Sequence, residues 1–211
     1  MPRIALAVAF SLVCAGAGAA HAAEQARTVP PFTAVNVQGP FNVIVEAGKA
    51  QSVAVRGSDR FVKDVVSEVV NGELVMHMRD KNYSTLRGDQ HIVVTVPQLR
   101  AFSAEGAGEI RLNNIRGERF EVNYRGAGEL RIIGEVKAFR IRAEGVGEID
   151  TKDLIANDVD ISLRGVGDAR VTARNRLDAQ VQGMGNLTYF GRPRTVNKSA
   201  SGLGSVRQGD R

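Results

Sequence analysis

The sequence predicts an all-β fold: a right-handed parallel β-helix, or solenoid, of roughly 19-residue rungs with Gly-x-Gly corners, preceded by a less regular β half. Three observations carry this. Six Gly-x-Gly tripeptides begin at Gly106, Gly126, Gly145, Gly165, Gly183 and Gly202, in steps of 20, 19, 20, 18 and 19 residues. Apolar residues alternate on both sides of each tripeptide, which puts one face of a strand inward. Outward positions form columns of alternating charge once the repeats are aligned, as parallel in-register neighbours require.

The elements follow in chain order. Residues 1–22 have the form of a secretory signal: Arg3, the apolar run Ile4 to Val13, and the small-x-small site Ala20-His21-Ala22. The mature chain then begins at Ala23. The only cysteine, Cys14, lies in that leader, and Val13 before it is a poor fit to a lipidation site. Disulfide and thiol chemistry are therefore not expected of the mature protein. Removing Arg3 with the leader lowers the formal net charge from +5 to +4. The remaining basic residues are interleaved with acids, so the composition does not point to nucleic acid. No later stretch approaches the roughly 18 apolar residues of a membrane-spanning helix.

A single domain is expected over 30–208, irregular over 30–98 and regular over 99–208. Strands are predicted at 51–56, 65–70, 73–79 and 91–97, a short helical turn near 59–64, and a polar loop at 80–90. Gln38-Gly39-Pro40-Phe41-Asn42-Val43 parallels Gln182-Gly183-Met184-Gly185-Asn186-Leu187 and reads as a divergent early rung, with Phe41 at the second glycine position.

In the regular rungs the inward positions before the corner include Phe120, Val122 and Tyr124, then Phe139, Ile141 and Ala143. After the corner they include Leu130 and Ile132, then Ala169 and Val171. The corner glycines Gly106, Gly108, Gly126, Gly128, Gly145, Gly147, Gly165, Gly167, Gly183, Gly185, Gly202 and Gly204 are structural: a sharp bend and close approach of adjacent rungs leave no room for a Cβ. Between them stand Ala107, Ala127, Val146, Val166, Met184 and Leu203. Their apolar character predicts an inward-turned corner; the alternative is an exposed ridge offered to a partner. Phosphate cradling is not expected, because no helical pattern follows any of these glycines. The last rung carries Lys198 and Gln208 at core-type positions, a polar cap that discourages edge-to-edge association.

The column just before the corner reads Glu105, Arg125, Glu144, Arg164, Gln182. The column just after it, Glu109, Glu129, Glu148 and Asp168, is the candidate binding flank, with Arg111, Arg131, Asp150 and Arg170 two residues further on. Neutralisation of those acids by the arginines is the structural expectation; a calcium-binding edge is the alternative. His77 and His91 flank the 80–90 loop and with Asp80 and Asp89 could meet across a hairpin and bind a metal, but two histidines without tight ligand spacing do not define a metal site. No metal, cofactor or catalytic constellation is expected. There is no Gly-x-Ser-x-Gly elbow and no cysteine nucleophile.

Phe32-Thr33-Ala34-Val35-Asn36-Val37, Gly39-Pro40-Phe41-Asn42-Val43, Arg125-Gly126-Ala127-Gly128-Glu129, Arg164-Gly165-Val166-Gly167-Asp168, and the ending from Gly183-Met184-Gly185 to Gly202-Leu203-Gly204 resemble the GIN domain. That family is described as the head domain of autotransporter adhesins, exported bacterial β-solenoid proteins. Serine commonly precedes the first glycine there; here Glu, Arg or Gln does at most rungs, which makes this surface more charged. The resemblance implies an adhesive or binding role and supplies no catalytic residues. No translocator barrel follows the head, so display by that route is not expected.

The expected function is that of an exported, non-enzymatic cell-envelope protein, periplasmic or at the cell surface. It would bind an envelope protein, a surface glycan or a second copy of itself. The alternative is a carbohydrate-active enzyme with acids along one groove.

Overall fold

The computed structural model describes residues 23–79 and 90–210. The leader, with its cleavage site and Cys14, and the 80–89 stretch, with Asp80 and Asp89, lie outside the described residues.

The described chain is nearly all β. Strand β1 (Ala23–Ala26) is followed by β2 (Ala34–Gln38), β3 (Asn42–Ala47) and β4 (Ser52–Gly57), then by one helical turn and a half, α1 (Asp59–Asp64). Strands β5 (Val65–Val70), β6 (Glu73–Met78) and β7 (His91–Val96) lead into β8, which runs from Ala101 to Phe190. β9 (Thr195–Gly202) and β10 (Ser205–Gln208) end the chain. Strict alternation of valine and other apolar residues makes β2, β3, β4, β6 and β7 strands with one buried face. α1 starts where Ser58 caps it, its hydroxyl accepting from the Phe61 amide at 3.3 Å. The helix buries Phe61 against Phe41, ring centroids 5.9 Å apart.

Drawn straight, the 90 residues of β8 would span about 300 Å. Instead they fold back on themselves. A Cβ placed on Gly126 would lie 1.7 Å from the Gly106 carbonyl oxygen, one on Gly145 1.9 Å from that of Gly126, and one on Gly165 1.9 Å from that of Gly145. Corner glycines therefore sit one above the next, and the layer above occupies the place of the missing side chain. The terminal strands keep the same offset: β9 lies parallel to β8 with Gly202 beside Gly183, and β10 with Ser205 beside Asn186. Phe120 and Phe139, one layer apart, stack with centroids 6.1 Å apart and planes within 10°.

The early rung is where the motif placed it. β2 runs parallel to 101–105 and β3 parallel to 110–113. A Cβ on Gly106 would meet the Gly39 carbonyl oxygen at 2.2 Å, and one on Gly108 that of Phe41 at 2.2 Å. On its other side this layer is bordered by β6 and β7, also parallel. The layer formed early in the chain is thus inserted between two that form later.

The sheet is mixed, not wholly parallel. Its order is β1-β4-β7-β3-β8-β2-β6-β5, with β9 and β10 also on β8. β1 pairs antiparallel with β4, β4 with β7, and β5 with β6. These three strands, all ahead of the part expected to be regular, turn back over the layer formed by β6 and β7; period-2 alternation, being the same in either orientation, does not give their direction. One apolar cluster runs from Phe32 to Tyr189.

Candidate binding surface

The corner residues face outward, contrary to the inward orientation expected from their apolar character. Val146 and Met184 are each 57% exposed, Val166 42% and Leu203 84%, and Ala107 and Ala127 are also exposed. The cause is the alternation itself. Ala104 and Ile110 are buried, so the inward phase between them falls on Gly106 and Gly108 and the outward phase on Glu105, Ala107 and Glu109. Period 2 continues through the bend, and only the glycines give up a side chain. The result is an apolar ridge that carries four of the five large apolar residues exposed among the described residues.

Two charged columns flank the ridge. On the leading side Arg125 Nε donates to Glu144 Oε2 at 3.3 Å, and Arg164 Nη1 lies 3.6 Å from Glu144 Oε1. Arg164 Nε also donates to Gln182 Oε1 at 3.1 Å. Glu144 is thus held between arginines of the layers on either side. Exposed pairs of this kind are worth about 0–1 kcal/mol each, so they set register more than they stabilise.

On the trailing side Glu109 pairs with Arg111, and Glu148 with Arg170, whose Nη1 also lies 3.9 Å from Asp150. Arg131 turns away to Asp153 at 3.3 Å. Asp168 accepts from Asn186 Nδ2 at 3.1 Å, and Asn186 in turn accepts from the Ser205 hydroxyl at 2.8 Å. Among the described residues neither Glu129 nor Asp168 has an ion-pair partner. The four acids share one column, but only alternate layers neutralise theirs.

Against this surface, the sequence model of one protein family, "Putative auto-transporter adhesin, head GIN domain", matches residues 31–193. The chain belongs to the GIN domain family. Its structure is similar to that of a putative adhesin from Bacteroides fragilis, with a TM-score of 0.73 at 21% identity over 90% of this chain and 98% of that one. It is also similar to a putative lipid binding protein from Parabacteroides distasonis, with a TM-score of 0.51 at 18% identity over 90% and 98% of the two chains. At these identities the likeness is one of fold. No curated protein matches the sequence.

In this GIN domain β6 and β7 are not paired as a hairpin: His77 stands beside Gln38 and Val66, and His91 beside Asn42 and Arg56, on the strands that border β2 and β3.

Two features escaped sequence reasoning. Tyr124, placed in the core by the alternation, is buried with no partner for its hydroxyl among the described residues. It borders a cavity of about 40 Å³ behind the corners at Val146 and Val166, lined also by Ala143, Ile149 and Leu163. Burial pushes the Tyr124 phenol above its ordinary value. The cavity lies where the inward positions next to the corner are alanine or glycine, Ala143, Gly145, Gly147, Gly165, Gly167 and Ala169, a deficit visible in the repeats only once the inward phase is known. Buried Thr151 and Thr172 bond across layers, to the carbonyls of Arg170 at 2.8 Å and Lys152 at 2.6 Å. Their signal was a hydroxyl at an inward position.

Proposed function

We propose that this chain is an exported, non-enzymatic binding module of the bacterial envelope, built as a β-solenoid of rungs near 19 residues over 30–208, and that it binds through the corner ridge and its flanks. The exposed ridge carries the reading. Large apolar side chains aligned on the outside are costly to leave in water, and a contiguous patch of them marks a contact surface. The stacked corner glycines and the 19-residue offset of β9 on β8 support the solenoid. Membership of an adhesin-head family supports a role in binding, and the 1–22 leader supports export to the periplasm or cell surface.

An envelope protein or a surface glycan fits this role as ligand. The trailing column is charged, yet Glu109 and Glu148 are tied to arginines as a structural ladder ties them. The enzymatic alternative therefore ranks second.

The test is capture of an envelope fraction by immobilised 23–211. Val166→Asp with Met184→Asp is expected to abolish capture while leaving the circular dichroism spectrum unchanged. Capture undiminished by those changes would remove the ridge as the site. Turnover of any polysaccharide that disappears in Glu129→Gln or Glu148→Gln would replace the binding role with a catalytic one.

A further inference from the structure

We propose that the corner ridge is where two copies of this chain meet, related by a two-fold axis parallel to the stacking direction, so that each layer faces its own counterpart. The proposal deepens the binding role above by naming a partner for the ridge, and it rests on the same layered arrangement.

Charge decides both the occupant and the orientation. Each layer presents a ridge residue with one side chain two positions before it and another two positions after. In two layers the leading residue is a glutamate, Glu105 or Glu144, and the trailing acid, Glu109 or Glu148, is already paired with Arg111 or Arg170. In the layers whose leading residue is Arg125 or Arg164, the trailing acid is Glu129 or Asp168, and of the four trailing acids these are the two without a cation of their own among the described residues. Cation and unsatisfied anion therefore flank the same stretch of ridge, on opposite sides of it.

A two-fold axis along the ridge lays the leading flank of one copy against the trailing flank of the other. Arg125 then faces Glu129 of the second copy, and Arg164 faces its Asp168, each contact occurring twice by symmetry. Between them Val146, Val166 and Met184 lose water against the same residues of the second copy. Where Glu105 and Glu144 face Glu109 and Glu148 of the second copy, the trailing acids are held by their own arginines, and Glu144 already lies between Arg125 and Arg164.

The opposite orientation fails. A two-fold axis across the ridge would set the trailing column against itself, acid against acid, and would leave Glu129 and Asp168 with no arginine of the leading column opposite them, which costs affinity. An anionic lipid surface fits no better, because the trailing flank would face it with uncompensated carboxylates.

Sedimentation velocity of 23–211 over a concentration series tests this. The wild-type chain is expected to dimerise, and Val166→Asp with Met184→Asp to be monomeric with an unchanged circular dichroism spectrum. Arg164→Glu alone and Asp168→Arg alone should each weaken dimerisation about tenfold or more, by placing like charges opposite each other. Mixing those two single variants should restore a tight heterodimer, since Glu at 164 then faces Arg at 168 and the native Asp168 faces the native Arg164.

A monomeric wild-type chain overturns the proposal. So does a dimer untouched by the ridge substitutions, or a mixture no tighter than its components. A monomer whose capture of an envelope fraction still depends on Val166 and Met184 would overturn self-association alone and leave the binding role standing.

Discussion

Adding one methyl group at Gly145 should cost several kcal/mol, although Val146 beside it is exposed. At Gly145 φ is +135°, and a Cβ would lie 1.9 Å from the Gly126 carbonyl oxygen and 2.9 Å from its carbon. The backbone conformation alone costs an alanine about 1–2 kcal/mol. An ordinary carbon–oxygen contact needs about 3.3 Å, so the layers must part by more than 1 Å at the corner, and overpacking of that kind costs about 1–3 kcal/mol more. The expected loss for Gly145→Ala is therefore about 2–5 kcal/mol. Gly72→Ala is the matched control. Its φ is +77° but nothing lies within 4 Å of the added Cβ, so only the conformational cost of about 1 kcal/mol applies. Gly185→Ala should lose far less than Gly145→Ala, because its added Cβ would be 3.0 Å from the Gly167 oxygen and its φ is not in the left-handed range. Urea titration followed by far-ultraviolet circular dichroism reads all three. If Gly145→Ala lost no more than Gly72→Ala, the stacked-corner reasoning would be refuted.

Other expectations are smaller but as definite. Tyr124→Phe removes a buried hydroxyl with no partner among the described residues, so the variant should be as stable as wild type or about 1 kcal/mol more so in urea titration; a loss above 1 kcal/mol would show that the hydroxyl is satisfied. The same variant carries a pH signature. The folded phenol titrates above its ordinary 10.0, so its contribution is complete below that pH and is lost as pH rises through the folded value; wild type should weaken above about pH 10 relative to Tyr124→Phe, and parallel alkaline melting curves would contradict this. Glu144→Gln should cost less than about 1 kcal/mol, since the pairs it breaks are exposed, with the difference shrinking in high salt. Ser58→Ala should cost about 1 kcal/mol by removing the cap of α1, read as a lower urea midpoint with unchanged slope.

Much of the architecture was legible because the physics behind it is local. A corner that excludes a Cβ must be glycine in every layer, so the period of Gly106, Gly126, Gly145 and Gly165 is written directly in the chain. The divergent rung at Gly39 was legible for the same reason, since Gly106 stacks on Gly39 as Gly126 stacks on Gly106. Strands β4 to β7 followed from alternation, and α1 (Asp59–Asp64) lies where the short helical turn near 59–64 was expected. What alternation does not encode is direction. β4 alternates as well as any parallel strand but runs antiparallel to β7, and the insertion of β2 and β3 between later layers depends on contacts far apart in sequence.

The candidate surface was legible in part. From Arg125 to Gln182 the leading column forms the ladder its charges announced, while Glu105 has no ion-pair partner among the described residues. The orientation of Val146, Val166, Met184 and Leu203 was misjudged by letting apolar character outweigh period, though the same alternation that placed Ala104 and Ile110 inside puts Ala107 outside. The turn that closes each layer is marked in the sequence by polar residues such as Asn113-Asn114 and Arg174-Asn175, but its stacking is less legible because only some layers use glycine there: Gly134 over Ile115 and Gly191 over Ala173.

Layer stacking is tested most directly by engineered disulfides, since Cys14 lies within the predicted leader and 23–211 contains no cysteine. Ser103 and Asn123 occupy equivalent positions in adjacent layers, about 5 Å apart, within disulfide reach, whereas Ser103 and Arg142 are two layers and about 10 Å apart, beyond it. Under mild oxidation Ser103→Cys with Asn123→Cys should close within one chain, and Ser103→Cys with Arg142→Cys should remain reduced. Equal closure of the two pairs, or closure of the second alone, would contradict the stacked arrangement on which the ridge and its flanks depend.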